Sequence, residues 1–304
     1  MPVPFISKND GQRMLVSTLI KQPAVVPARI IQMMDQQFLA DAILRPGPPA
    51  PGGVVLYNES TPLYADRSSS VVEEFGEIPA VSSSLGQPRT VRTVRRGMAL
   101  KISQDMIDEE NFDAVQTRMT QIRNTMRRDW DDAMLAAFFA NPMLQQVTST
   151  IAWNSPTSTI RKDINAARKK VETAAADVLG DQVFNFEPDT LIIGTTQKFD
   201  FLDSDEVSKP YQGNIADENL LYTGKLPNAF IGVDVLVSKR MPANKALVLE
   251  RKTVGGISDR RQLRATNLYE HQPTETWRSD VTRASAIFVD QPLSACILNL
   301  TADA

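Results

Sequence analysis

Cysteine and histidine are almost missing: Cys296 and His271 are the sole representatives of their kinds in 304 residues. One cysteine excludes an internal disulfide and a cysteine metal cluster, and Cys296, in the apolar run 295–298, reads as a buried, inert thiol. One histidine leaves a Ser/His/Asp triad a single candidate base, and no Gly-x-Ser-x-Gly elbow accompanies it. His271, beside Pro273 in a polar stretch, reads as a surface side chain. Phosphate-cradling loops are missing too: Gly224-Lys225 runs into Leu226 without the upstream glycine, and Gly-x-Gly-x-x-Gly does not occur. Asp200, Asp203, Asp205 and Glu206 lack the glycine and spaced terminal glutamate of a calcium loop and read as a solvated acidic stretch.

Charge of one sign is lacking as well. With 33 basic against 36 acidic residues, the chain does not have the cationic excess of a nucleic-acid-coating protein. No apolar stretch approaches the roughly 20 residues of a membrane span, and the first ten residues lack a signal-peptide pattern. The expectation is a non-membrane protein folded and assembled in a cytoplasm, without cofactor or metal and without enzymatic activity.

What is present is organised around a rod. Phe112, Val115, Met119, Ile122, Met126, Trp130, Met134 and Phe138 recur every three or four residues, placing them on one stripe of a helix over 111–140. Asn111 is the candidate N-cap, Asn141-Pro142 the stop, and the rod would be roughly 40 Å long. Asp105, Asp108, Glu109, Glu110 and Asp113 crowd its amino end, where carboxylates complement the helix dipole.

Ahead of the rod, residues 1–45 form a proline-interrupted arm with a short helix near Ile30–Ile43, and Arg45–Gly53 reads as loop. Between Tyr57 and Met98 the chain reads as a two-stranded ribbon. One arm carries Arg67, the acidic Glu73, Glu74 and Glu77, and the apolar Phe75; the other carries Arg89, Arg92, Arg95 and Arg96. At about 18 residues per arm it would reach about 60 Å, against a radius of gyration of about 19 Å for a compact body of this length. Such a ribbon must protrude, and it has too few apolar side chains to stabilise itself. Its oppositely charged arms point to contact with a neighbouring molecule.

After the rod, 145–153 is strand-like. A second helix begins near Ser158 with the stripe Ile160, Ile164, Ala167, Val171, Ala174 and Val178, and Gly180 is its candidate C-terminal cap. Strands are expected at 191–194, 230–237, 246–249, 276–289 and 295–300, a small helix near 197–202, a loop over 203–223 and a polar stretch over 250–264. The class is mixed α+β.

This order of elements resembles the major capsid protein of tailed bacteriophages, the Hong Kong 97-type fold. The resemblance rests on Glu74-Phe-Gly-Glu-Ile-Pro79, on Val94 to Asp108, on the rod, on Pro188 to Ile193, on Gly232 to Ser238 with Met241-Pro242, and on Val289 to Ala295. It implies an N-terminal arm (1–45), an extended loop with flanking strands (46–98), a peripheral domain (99–150 and 271–304) built on a spine helix (111–140), and an axial domain (151–270). It implies a structural protein forming hexamers and pentamers in an icosahedral shell, the virion head, around packaged double-stranded DNA, with a portal and cement proteins as partners. Some members of that family weld their subunits through a lysine in the extended loop. Residues 57–98 contain no lysine, so no such cross-link is expected here. The short stretch ahead of the ribbon implies a separate scaffolding protein. The alternatives are an encapsulin-type nanocompartment shell and, more remotely, a soluble enzyme with a mobile lid.

Overall fold

The computed structural model describes residues 24–34, 38–61, 69–72, 76–78, 80, 86–109, 112–155, 157–174, 184–204, 206 and 229–301. The elements in chain order are α1 (Val25–Met34), α2 (Leu39–Ile43), β1 (Arg45–Pro46), β2 (Val54–Glu59), β3 (Gln87–Arg92), β4 (Val94–Ser103), α3 (Gln104–Asp108), α4 (Phe112–Ala140), β5 (Gln145–Thr148) and α5 (Ile160–Glu172). They continue with β6 (Thr190–Ile193), α6 (Thr195–Asp203), β7 (Ala229–Phe230), β8 (Val233–Val237), β9 (Lys245–Leu249), β10 (Gly256–Ala265), β11 (Tyr269–His271), β12 (Thr276–Phe288) and β13 (Ala295–Asn299).

The long helix α4 exists because its stripe has something to cover along the whole length. Val115, Met119, Ile122, Met126 and Trp130 pack on Leu100 and Ile102 of β4, Val281 of β12, and Val25, Val26, Ile30 and Met34 of α1. Met134 and Phe138, farther along, pack instead on Ile192, Leu247, Leu249 and Ile297. Asn111 and the side chain of Phe112 lie outside the described residues. The helix ends where Asn141 turns the chain: its amide donates to Phe138 O (3.1 Å) and its side-chain oxygen accepts from Met143 N (2.9 Å), an Asx turn ahead of which Pro142 forbids continuation.

Two sheets divide the body. In the first, β12 is central, with β4 antiparallel on one edge and β10 and β11 on the other; β1 adds in parallel to β10. In the second the order is β5-β13-β9-β6-β8-β7. One face of this second sheet (Leu191, Ile193, Ala246, Val248, Cys296, Leu298) packs on Ile160, Ile164, Ala167 and Val171 of α5 and Phe201 of α6. The opposite face (Ile192, Leu247, Leu249, Ile297) packs on α4 and α2. Side chains alternate faces along each strand, so strands covered on both sides are apolar throughout.

Several expectations need correction. Sheet membership cuts across the expected boundaries. Residues 256–265, expected with the 151–270 part, pair with β12 in the first sheet, while 145–148 and 295–299, expected with the first part, lie in the second. Arg45–Pro46 is a two-residue strand, not loop. Two helices, α1 and α2, replace the single arm helix, and a short helix, α3, precedes the rod. The stretch Phe230–Val237 is two strands joined by a two-residue turn with Ile231 at φ 52° and Gly232 at φ 75°. A β-branched residue in that left-handed region is unfavourable, and glycine beside it lets the reversal close. The second helix ends at Glu172; Val178 and Gly180 lie outside the described residues, as does most of 203–223.

Candidate functional site

The ribbon begins at β2, whose Val-Val-Leu-Tyr-Asn-Glu run alternates in burial because only one of its faces meets the body. Val55 packs with Ala50, Ala286 and Phe288, and the Tyr57 and Phe288 rings lie 5.1 Å apart. On the other face Val54 and Leu56 are 50% and 68% exposed. Their antiparallel partners on β3 are Arg92 and Thr90, so the outward face is an apolar pair flanked by a guanidinium and a hydroxyl.

Polar contacts fix the root of the ribbon. Glu59 is buried; its Oε2 accepts from Arg89 Nε (2.9 Å) and its Oε1 from Asn141 Nδ2 (3.0 Å), joining both strands to the end of α4. Ser60 N donates to Asp290 O (2.7 Å), and Gln291 Nε2 donates to Thr61 O (3.1 Å). Arg45 pairs with the Asp290 carboxylate; burial pushes that carboxyl above its ordinary pKa and the guanidinium pulls it back. A methyl group on Gly86 would sit 2.0 Å from Glu59 O, so only glycine allows the strands to part there.

Beside the root, Arg283 of β12 is a buried guanidinium that clamps the arm. It donates to both Asp41 oxygens (2.9 and 2.8 Å) and both Asp259 oxygens (3.2 Å each), joining α2, β10 and β12. Arg96 is its register partner on β4, and the two guanidiniums lie over the Trp130 ring at 5.0 and 5.3 Å. Like charges directly opposite on a sheet repel. The ring and the carboxylates offset that here.

The residues expected on the extended loop therefore separate. Arg89 and Arg92 are on β3, and Glu77 is exposed. Arg95 and Arg96 are not on the ribbon: Thr93 N turns to Gly53 O (2.9 Å), and from Val94 onward the chain pairs with β12 in the body. The described ribbon is six rungs, Val54↔Arg92 to Glu59↔Gln87. Arg67, Glu73, Glu74 and Phe75 lie outside the described residues. On α4, Val115, Met119, Ile122, Met126, Trp130, Met134 and Phe138 are all buried. The sequence reading did not find the root itself, Arg45, Tyr57, Glu59, Asn141, Phe288 and Asp290, nor the Asp41–Arg283–Asp259 clamp. The alternation of 54–59 was the one local signal for it.

His271 lies on β11 with its Nδ1 2.9 Å from Thr274 Oγ1. Burial pushes the Cys296 thiol up to about 12. Glu206 Oε2 accepts from Arg161 N (3.0 Å), capping α5. Among the described residues no group of His, Cys, Asp and Glu is placed to hold a metal, and no described helix is long and apolar enough to cross a membrane.

Residues 86–293 match the family model described as phage capsid protein. No curated protein matches the chain significantly. Among solved structures, the fold is shared with the virus-like particle from Pyrococcus furiosus at TM-score 0.59 and 12% identity, over 91% of this chain and 98% of that one. A structure from Mycobacterium phage Bobi matches at TM-score 0.57 and 14% identity, over 87% and 93%. The capsid of an empty GTA particle matches at TM-score 0.55 and 13% identity, over 86% and 88%. Since the family match spans more than half of the sequence and the shared architecture runs through nearly all of it, the chain belongs to the phage capsid protein family, a bacteriophage major capsid protein of Hong Kong 97-type fold.

Proposed function

We propose that the protein closes an icosahedral head of hexamers and pentamers around packaged double-stranded DNA. The observation that carries this reading is the two-faced ribbon: its inner face is fixed to the body through Val55, Tyr57 and Glu59, while its outer face leaves Val54 and Leu56 in water. A monomer gains nothing from holding such a face outward; a neighbouring copy placed over it does. The sheets suggest redrawn domains. The peripheral domain takes α4 as its spine together with β4 and β10–β12, the axial domain takes the second sheet with α5 and α6, and α1 and α2 belong to the arm. A separate scaffolding protein, a portal and cement proteins complete the assembly in the bacterial host.

The test is to purify particles formed with and without a candidate scaffold, image them, and measure nuclease-protected DNA. Closed shells with five-fold and six-fold capsomers around protected DNA support the reading; a stable monomer at assembly concentrations overturns it. Denaturing electrophoresis of mature particles should show a single 33.7 kDa band, because no ribbon lysine can weld the copies. The likeness to a virus-like particle favours one second reading, an encapsulin-type shell around protein cargo, and shells protecting no DNA would support it.

A further inference from the structure

The chain carries a slight acidic excess, yet the outer face of α5 is strongly basic. Arg161, Lys162, Lys169 and Lys170 are exposed and Arg168 is half-buried. The apolar stripe of the helix faces the second sheet, so Arg161, Lys162 and Lys169 lie on its outer side, while Lys170 Nζ donates to Gln146 O (2.8 Å) and Arg168 to Ile231 O. Asp163, the acidic residue of the first turn, is turned inward, where its Oδ2 accepts from Trp153 Nε1 (3.0 Å). Two carboxylates stand beside the cations: Glu172, paired with Arg168 (3.2 Å), and Glu206, committed to the backbone of Arg161. The balance is five cations against two carboxylates.

The other long surface helix behaves differently. On α4, Arg127 pairs with Asp131 (3.8 Å), Arg128 with Asp129 (3.3 Å), and Asp132 with Arg240 (2.6 Å), and the helix carries as many aspartates as arginines, so its charge is balanced. Lys162 and Lys169 make no ion pair among the described residues. They are seven residues apart, as are Arg161 and Arg168, so two rows of positive charge run along the helix with a spacing of about 10 Å. Lysine is a mobile point charge without the fixed fork of arginine, which suits a phosphate backbone held without regard to sequence.

Resting on the reading of a DNA-filled head, we infer that the exposed face of α5 lines the lumen and meets the phosphates of the packaged duplex, while the charge-balanced α4 side of the sheet does not. The contact is sequence-independent and screened by salt.

The test uses the full chain in unassembled form and a 30-base-pair duplex of mixed sequence, with binding followed by fluorescence anisotropy across NaCl concentrations. K162Q/K169Q should make the slope of log affinity against log salt shallower by about 2 relative to wild type, at an unchanged melting temperature. R123Q/R128Q on α4 should leave the slope as it is. Equal slopes for K162Q/K169Q and wild type, or no duplex binding by wild type, would overturn the inference. Polyglutamate binding as tightly as the duplex, or loss of shell assembly in K162Q/K169Q, would also overturn it, assigning the face to an acidic protein segment or to contacts between copies. Heads that still protect DNA in those cases would leave the shell reading standing without this surface.

Discussion

The second sheet and the ribbon root are both β-structure, and they face opposite situations. Strand β6 is buried at every position and β9 at all but its first, because helices cover both faces of the sheet. In strand β2 Val55 and Glu59 are buried and Tyr57 is half-buried, while Val54 and Leu56 on the other face are exposed. The first region contains all the atoms it needs; the second leaves Val54 and Leu56 in water. Stability of the single chain therefore resides mainly in the sheet, and in the proposed shell the ribbon is what a neighbouring copy completes.

Mutations should separate the two. The largest effect on folding is expected from Phe201→Ala, which empties a fully buried ring site between Trp153 and Phe230: a loss of about 3–5 kcal/mol in urea unfolding. The neighbouring Cys296 provides a readout, since a thiol pushed up to about 12 by burial should resist alkylation at pH 8 until the sheet opens. Arg283→Ala ranks next. It leaves Asp41 and Asp259 without their shared cation, and because both carboxylates are partly solvated, about 2 kcal/mol is expected, with the arm more open to proteolysis.

A smaller effect belongs to Asp131, whose Oδ1 accepts from Leu39 N (3.1 Å) at the start of α2. Burial raises its pKa against the pull of that hydrogen bond and of Arg127, so the folded chain keeps the proton to higher pH than the unfolded one. The contribution of this site to stability is thus fully present in acid and is lost as pH rises through the folded value. Asp131→Asn should stay within about 1 kcal/mol of wild type. The difference should move in favour of asparagine from pH 4 to pH 7 in paired urea melts.

The smallest effect on folding is the most informative. Leu56→Ser should change the stability of the unassembled chain by no more than about 0.5 kcal/mol, because the side chain is exposed. It should nevertheless sharply reduce shell yield by sedimentation. Equal losses in folding and assembly would break the comparison.

The sequence disclosed some of this and hid the rest for physical reasons. Helix α4 was legible because its period persists through 29 residues. Strand β10 was missed because register shifts between Asp259 and Arg261 and again between Arg261 and Arg264 erase the two-residue period. The turn at Ile231-Gly232 was invisible because a reversal of two residues keeps the alternation in phase on both sides. The ribbon was overextended because the pattern around Val91–Val94 crosses Thr93 unchanged while the chain switches partner from β2 to β12. The root contacts join residues distant in sequence, Asn141 to Glu59 across 82 positions and Arg45 to Asp290 across 245, and no local pattern encodes such pairs.

The central claim is that the outward face of the ribbon is completed by a sister chain. A cryo-electron microscopy reconstruction of assembled particles tests it most directly. The account predicts that Val54 and Leu56 lose their solvent exposure against an adjacent copy in every capsomer. Closed shells in which both side chains stay in solvent would contradict it.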